Sequence, residues 1–189
     1  ELSKYASVPV INGLTDYNHP CQIMADIFTV IEKKGSLKDL KISYIGDGNN
    51  IVHSWLELCM VFPLNFHIIC PESFKPDISL YSTAKSKGLS NIEICHDPVV
   101  GIQDSDVVYT DVWASMGQKE ETDERRKIFE KYQVNSKLMQ HASSDAIFMH
   151  CLPAERGVEV TDSVCDSNQS VIFDQAENRM HAQNAIILR

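Results

Sequence analysis

Short apolar runs alternate with longer amphipathic stretches along most of this chain. KISYIG (41–46) reads as a buried strand, followed by a helix over about 50–62. NFHIIC (65–70) predicts a second strand with a helix over 79–88 after it, and NIEIC (91–95) a third strand. DVVYTDV (106–112) is a fourth, helical patterns cover about 121–141, and AIFMHCL (146–152) is a fifth. SVIF (170–173) suggests a sixth strand before a last helix from about 175. Strands at this spacing with helices between them imply right-handed crossovers and a parallel sheet. Upstream, HPCQIMADIFTVIEKKG places Ile23, Ile27, Val30 and Ile31 on one face of a helix that Gly35 ends. There are no repeats, low-complexity stretches or linkers. The pattern predicts an α/β fold, a Rossmann-like doubly wound parallel sheet in a single domain.

Composition narrows the function. A chain of 189 residues with 43% hydrophobic and 23% charged residues suits one well-buried core. The net charge of −9 argues against a nucleic-acid surface, which needs clustered Lys and Arg to neutralise phosphates. The densest basic cluster, Arg125-Arg126-Lys127, follows a run of acids and reads as a solvated helix face. No run approaches the ~18 apolar residues of a membrane helix. The first residues, ELSKYASVPVINGL, lack the basic and apolar regions of a signal peptide. Six cysteines show neither a CxxC pair nor metal-like spacing with His. Reduced thiols in a cytosol-like compartment are the expectation, and no metal or organic cofactor is expected.

In open parallel sheets, ligands sit beyond the carboxyl ends of the strands. Five segments fall there or beside it. They are His19-Pro20-Cys21-Gln22, Gly46-Asp47-Gly48-Asn49-Asn50, Asp111-Val112-Trp113-Ala114-Ser115-Met116-Gly117, His150-Cys151-Leu152-Pro153 and Glu177-Asn178-Arg179. Each has an ordinary structural reading. The GDGNN segment lacks the third glycine of a dinucleotide loop, since position 51 is Ile51, and Asn50 suits a helix N-cap. Asp111 and the glycine after it suit a plain loop. His150 and Cys151 are neighbours on a strand and point to opposite faces, which argues against a Cys–His dyad. Taken singly, His19 at a helix start reads as a cap or surface residue and Arg179 as a surface arginine.

Taken together, NHPCQ, GDGNN, DVWASMG, HCLP and AENRMHAQ, in this order and spacing, resemble the ornithine carbamoyltransferases. The resemblance runs from about Ile11 to Ile187, and the pair SMG plus HCLP is its most specific part. The related aspartate enzymes are expected to carry HPLP where this chain has HCLP, which favours a basic amino acid as acceptor. The resemblance implies that His19 and Gln22 hydrogen-bond the carbonyl oxygen and amide nitrogen of carbamoyl phosphate, with Arg179 on the same group. It implies that Asn50, Asp111, Ser115 and Met116 hold the α-amino and α-carboxylate ends of L-ornithine. Cys151 would lie next to the attacking δ-amine, and the Cys151-Leu152 backbone would face the carbamoyl amide.

The chemistry suits those residue types. The δ-amine must be neutral to attack, yet a free alkyl amine is protonated near neutrality. Burial disfavours the ammonium form, and Cys151 could orient the amine or relay its proton. Asp111 supplies an anion for the α-ammonium, and the acceptor is then held by both ends. The resemblance also implies a preceding carbamoyl-phosphate domain with a Ser-x-Arg-Thr loop, a homotrimer and a cytoplasmic location, or a mitochondrial one with the transit peptide outside this sequence. No such loop occurs in the 189 residues, so the chain is expected to be the ornithine-binding half, with parts of the interdomain helices, and to be inactive alone. A carbamoyltransferase for another amine such as putrescine, and a nucleotide-binding dehydrogenase domain, stay open as alternatives.

Overall fold

The structure, a computed structural model, describes residues 2–113 and 122–188. Five strands form one sheet: β1 Lys41–Ile45, β2 Asn65–Ile69, β3 Asn91–Cys95, β4 Val107–Thr110 and β5 Ile147–His150. All four pairings are parallel, in the order β3-β2-β1-β4-β5. The chain winds outward from β1 through β2 to β3, then returns across β1 to add β4 and β5. This reversal puts the topological switch point between β1 and β4, where the carboxyl ends of neighbouring strands part company.

The helices are α1 Leu2–Tyr5, α2 Pro20–Lys34, α3 Asn50–Cys59, α4 Ile78–Ser86, α5 Pro98–Ile102, α6 Thr122–Phe129, α7 Ser136–Met139, α8 Asp162–Cys165 and α9 Ile172–Ile187. Alternation along each strand feeds two cores. Ile42, Tyr44, Phe66, Ile68, Val107, Tyr109 and Met149 pack toward α2, α3 and α4 around Trp55. Ile45, Ile69, Val108 and Phe148 face the opposite way, toward Ile102, Phe129, Tyr132 and Leu138. Both faces of the sheet are thus covered, which explains why β4 and β5 are apolar at nearly every position.

Local chemistry sets the boundaries. Pro20 opens α2, where its missing N–H costs nothing, and Gly35 closes it in the left-handed region at φ 78°. Asp77, Asp97 and Asn135 each cap a helix by accepting backbone N–H groups. α2 and α9 lie against each other although 149 residues separate Asp26 from Gln175. Asn178 donates to Thr29 Oγ1 (3.1 Å) and Glu32 Oε2 (3.0 Å), and Lys33 pairs with Asp174 at 2.8 Å.

Four sequence expectations need correction. The sixth strand is absent among the described residues: Ser170 makes only an isolated bridge to Phe148, and α9 already starts at Ile172. The helical stretch over 121–141 is broken into α6, a 3-10 turn over Glu130–Tyr132 and α7, because Asn135 starts a new helix. The cap of α3 is Asn49, not Asn50: the Asn49 side chain accepts from Ile51 N (3.0 Å) and Val52 N (3.5 Å). The apolar stripe of α2 is buried at Ile23 and Val30, while Ile31 stays 40% exposed.

Candidate active site

The loops after β1, β4 and β5 meet at the switch point. Asp111, one residue beyond β4, is buried and accepts three hydrogen bonds. Its Oδ1 takes the backbone N–H of Val112 at 2.8 Å and the Cys151 thiol at 2.9 Å, and its Oδ2 takes Asn49 Nδ2 at 2.9 Å. Three donors from three different elements thus fix the direction of this one carboxylate. Asn49 thereby does two jobs, capping α3 with its oxygen and orienting Asp111 with its nitrogen.

Cys151 follows β5 and packs in the core on the α2 face. Burial pushes its thiol well above the ordinary cysteine value, and the Asp111 charge pushes the same way. The sulfur therefore carries its proton and donates it. The Cys–His question is answered by partners: Cys151 binds Asp111, whereas His150 is engaged elsewhere. Leu152 N–H can only donate, so His150 Nδ1 accepts from it at 2.9 Å, leaving Nε2 to face Glu159 Oε1 at 3.2 Å. Opposite facing did not keep the groups apart, because Asp111, His150 and Cys151 still offer atoms within 4.8 Å of one another. A carboxylate, an imidazole and a thiol could ligate an ion, but each is already engaged in the hydrogen bonds above. The His150 contacts also brace Leu152, a non-glycine residue at φ 56°. Such a backbone persists only where its surroundings determine it.

His19 precedes α2, anchored by its N–H on Ser54 Oγ at 2.7 Å. Burial holds its imidazole below the usual value, with the Arg179 charge acting in the same direction. Gln22, one turn further, is fully buried and donates Nε2 to Asp26 Oδ1 at 2.8 Å. His19 Nδ1 and Gln22 Oε1 are both buried without a hydrogen-bond partner among the described residues. Two such atoms at the start of one helix invite a polar ligand, since an unmade buried hydrogen bond costs ~1–3 kcal/mol. Arg179 stands half-buried on α9, close enough for its charge to act on His19 and Asp26.

Residues 38–189 match the aspartate/ornithine carbamoyltransferase Asp/Orn binding domain, and residues 1–32 match the carbamoyl-P binding domain of the same family. The chain belongs to the aspartate/ornithine carbamoyltransferases. It is 61% identical over 188 residues to the chloroplastic ornithine carbamoyltransferase of Pisum sativum and 54% identical over 190 to that of Thermococcus kodakarensis. It covers 100% and 99% of its own length in these matches but only 50% and 60% of theirs. The ornithine carbamoyltransferase structure from Pyrococcus furiosus superposes with a TM-score of 0.90 at 52% identity, covering 98% of this chain and 60% of that one. The anabolic enzyme structure from Campylobacter jejuni gives 0.90 at 35% identity, covering 98% and 63%.

Within this carbamoyltransferase fold the sequence-derived residues fall into three groups. Asp111 and Cys151 touch, His19 and Arg179 approach electrostatically, and Gln22 and Leu152 flank them on α2 and the β5 loop. Asn50 is turned aside, its Nδ2 donating to the Thr15 carbonyl at 2.9 Å. Ser115 and Met116 lie outside the described residues. Sequence reasoning missed Asn49, Asp26, Gln175 and Glu159. A polar residue at an apolar-phase position was the available signal for Asp26, four residues after Gln22 on the same helix face. Asp47 was passed over too: its carboxylate is paired with Arg125 at 3.0 Å, beside the Asn49 turn.

Proposed function

We propose that the protein carrying this chain transfers the carbamoyl group of carbamoyl phosphate to the δ-amine of L-ornithine, yielding citrulline and phosphate. The observation that carries the reading is the Cys151 thiol held 2.9 Å from the Asp111 carboxylate at the sheet switch point. The identities of 54–61% to enzymes named ornithine carbamoyltransferase support it.

In this reading Asp111 is the anion for the α-ammonium of ornithine, oriented by Asn49, Val112 and Cys151. Ser115 and Met116 complete the grip on the amino-acid head, with Asn50 joining them only on releasing the Thr15 carbonyl. Cys151, being a thiol and not a thiolate, orients the δ-amine instead of deprotonating it outright. The amine loses its proton because the site is desolvated. Its lone pair attacks the carbamoyl carbon, and negative charge grows on the carbonyl oxygen. His19, with a proton on Nδ1, and Arg179 stabilise that oxygen. Gln22 and the Cys151-Leu152 backbone hold the carbamoyl amide while the carbon–oxygen bond to phosphate breaks, and the leaving phosphate takes the proton that the attacking nitrogen sheds. L-Ornithine and carbamoyl phosphate are small-molecule partners, and we infer a trimeric assembly in a reducing compartment, cytoplasmic or organellar. The six free cysteines support the reducing environment.

Citrulline formation by the full-length protein tests the reading, with putrescine offered as competing acceptor. Ornithine turnover with little putrescine turnover is expected, because Asp111 needs an α-ammonium. Preference for putrescine would overturn it, and light scattering would test the trimer.

A further inference from the structure

A second polar cluster lies below the site, wholly inside the protein. Gln22, Asp26, His150 and Gln175 are all 0% exposed, and they come from α2, β5 and α9. The polarity of the chain of hydrogen bonds is dictated by one backbone group. The His150 N–H can only donate, so it meets Gln175 Oε1, at 2.8 Å. The other end of that amide, Nε2, must then find an acceptor, and it donates to Asp26 Oδ1 at 2.7 Å. The same oxygen receives Gln22 Nε2 at 2.8 Å. The Tyr109 hydroxyl lies beside the carboxyl without meeting hydrogen-bond geometry.

A primary amide can be flipped with little change of shape, so its orientation must come from its partners. We propose that Asp26 is a positioning residue that fixes Gln22 with Nε2 inward and Oε1 as the free acceptor for substrate, and that Gln175 ties this setting to the end of β5. The inference rests on the carbamoyl-transfer reading above. It assigns Gln22 a specificity role: Oε1 accepts an N–H from the carbamoyl amide, and offers nothing to a methyl group in the same place. Acetyl phosphate has that methyl. A site built to bind a substrate N–H discriminates strongly against the analogue that lacks it. Asp26 Oδ1 accepts whether or not Oδ2 carries a proton, so an Asn in its place keeps the setting.

The experiment uses the full-length protein, with KM for carbamoyl phosphate and Ki for acetyl phosphate measured for Asp26→Leu and Asp26→Asn. Asp26→Leu frees the Gln22 amide. It should raise KM for carbamoyl phosphate about tenfold, while Ki for acetyl phosphate moves by less than about threefold, on the scale of one lost neutral hydrogen bond. Asp26→Asn should stay within about threefold of the unsubstituted enzyme on both. Equal shifts in the two constants, or Asn as damaging as Leu, would overturn the assignment, since a merely structural carboxyl predicts one or the other. If Asp26→Leu does not fold, Gln175→Met loosens the same tie from the other end. It should weaken carbamoyl phosphate selectively, and an unselective loss or none counts against the proposal. Lack of citrulline formation by the unsubstituted protein would instead sink the functional reading, and the Asp26 assignment with it.

Discussion

At the residue scale, two buried carboxyl groups are set apart by their partners and by how deeply each is enclosed. Asp111 gathers a backbone N–H, an amide and a thiol, so its charge is well supplied with donors. Asp26 is more deeply enclosed, and burial pushes its carboxyl up to about 7 even though Gln22, Gln175, Tyr109 and Arg179 pull it down. The folded protein therefore keeps a proton on Asp26 between the ordinary carboxylate value and neutrality, where the unfolded chain has released it. Stability from this group falls as pH rises through that window, by at most ~1.4 kcal/mol for each pH step of about one. Asp26→Asn removes the titration, so its melting temperature relative to the unsubstituted protein should improve between pH 5 and pH 8. A constant difference across that range would place the Asp26 value near that of an ordinary carboxylate. For Cys151 the protonated thiol makes a different demand: Cys151→Ser keeps a donor for Asp111 and Cys151→Ala does not. Turnover of the serine variant should exceed that of the alanine variant, and the reverse order in steady-state kinetics would show that a donor to Asp111 at this position is not what turnover needs. Sequence motifs pointed to Asp111 and Cys151 because both end strands. They did not point to Asn49 over Asn50, since adjacent asparagines are equivalent until the helix phase fixes which one caps.

Among the elements, the β1–α3 turn is the most tightly built. A Cβ on Gly48 would lie 2.2 Å from Pro76 N and 2.5 Å from Lys75 C, which are backbone atoms that cannot swing away. Gly48 N–H also donates to the Phe74 carbonyl at 2.9 Å, pinning the turn to the segment after β2. Gly48→Ala should therefore cost ~1–3 kcal/mol, as overpacking does, and should displace Asn49 from Asp111. Denaturant unfolding checks the first part. An unchanged midpoint would mean that the loop around Pro76 yields freely. The five strands were legible because β4 and β5 are nearly continuous apolar runs under two covered faces, and β1, β2 and β3 are short segments rich in isoleucine. The stretch over 121–141 was not, because its apolar spacing continues through the turn while Asn135 interrupts the backbone. SVIF misled for a related reason: Val171 and Ile172 pack into opposite cores as strand neighbours would, yet Val171 already caps α9 and only Ser170 bridges the sheet.

For the molecule as a whole, the sheet shields its thiols. Cys21, Cys59, Cys70, Cys151 and Cys165 are buried, and Cys95 is partly open. Burial raises Cys59 and Cys70 to about 12, which further suppresses thiolate. Titration of the native protein with a thiol reagent should show at most one fast group from this chain, and six after denaturation. Several fast groups in the native state would mean that the sheet opens readily. The order of the strands, with its single reversal, was readable only as a class, because the spacing of strands says nothing about which side of β1 each joins. The clasp between α2 and α9 has a further consequence during synthesis. A ribosome makes α2 well before α9, so the donor that Asp26 takes from Gln175 does not exist until all five strands between them have been translated. Until then the Asp26 carboxyl holds half its final partners, and the α2 surface waits for its cover. A nascent chain arrested before Ile172 should thus have its sheet but not the Gln175 tie to Asp26, leaving α2 as a target for chaperones or proteases until α9 closes over it.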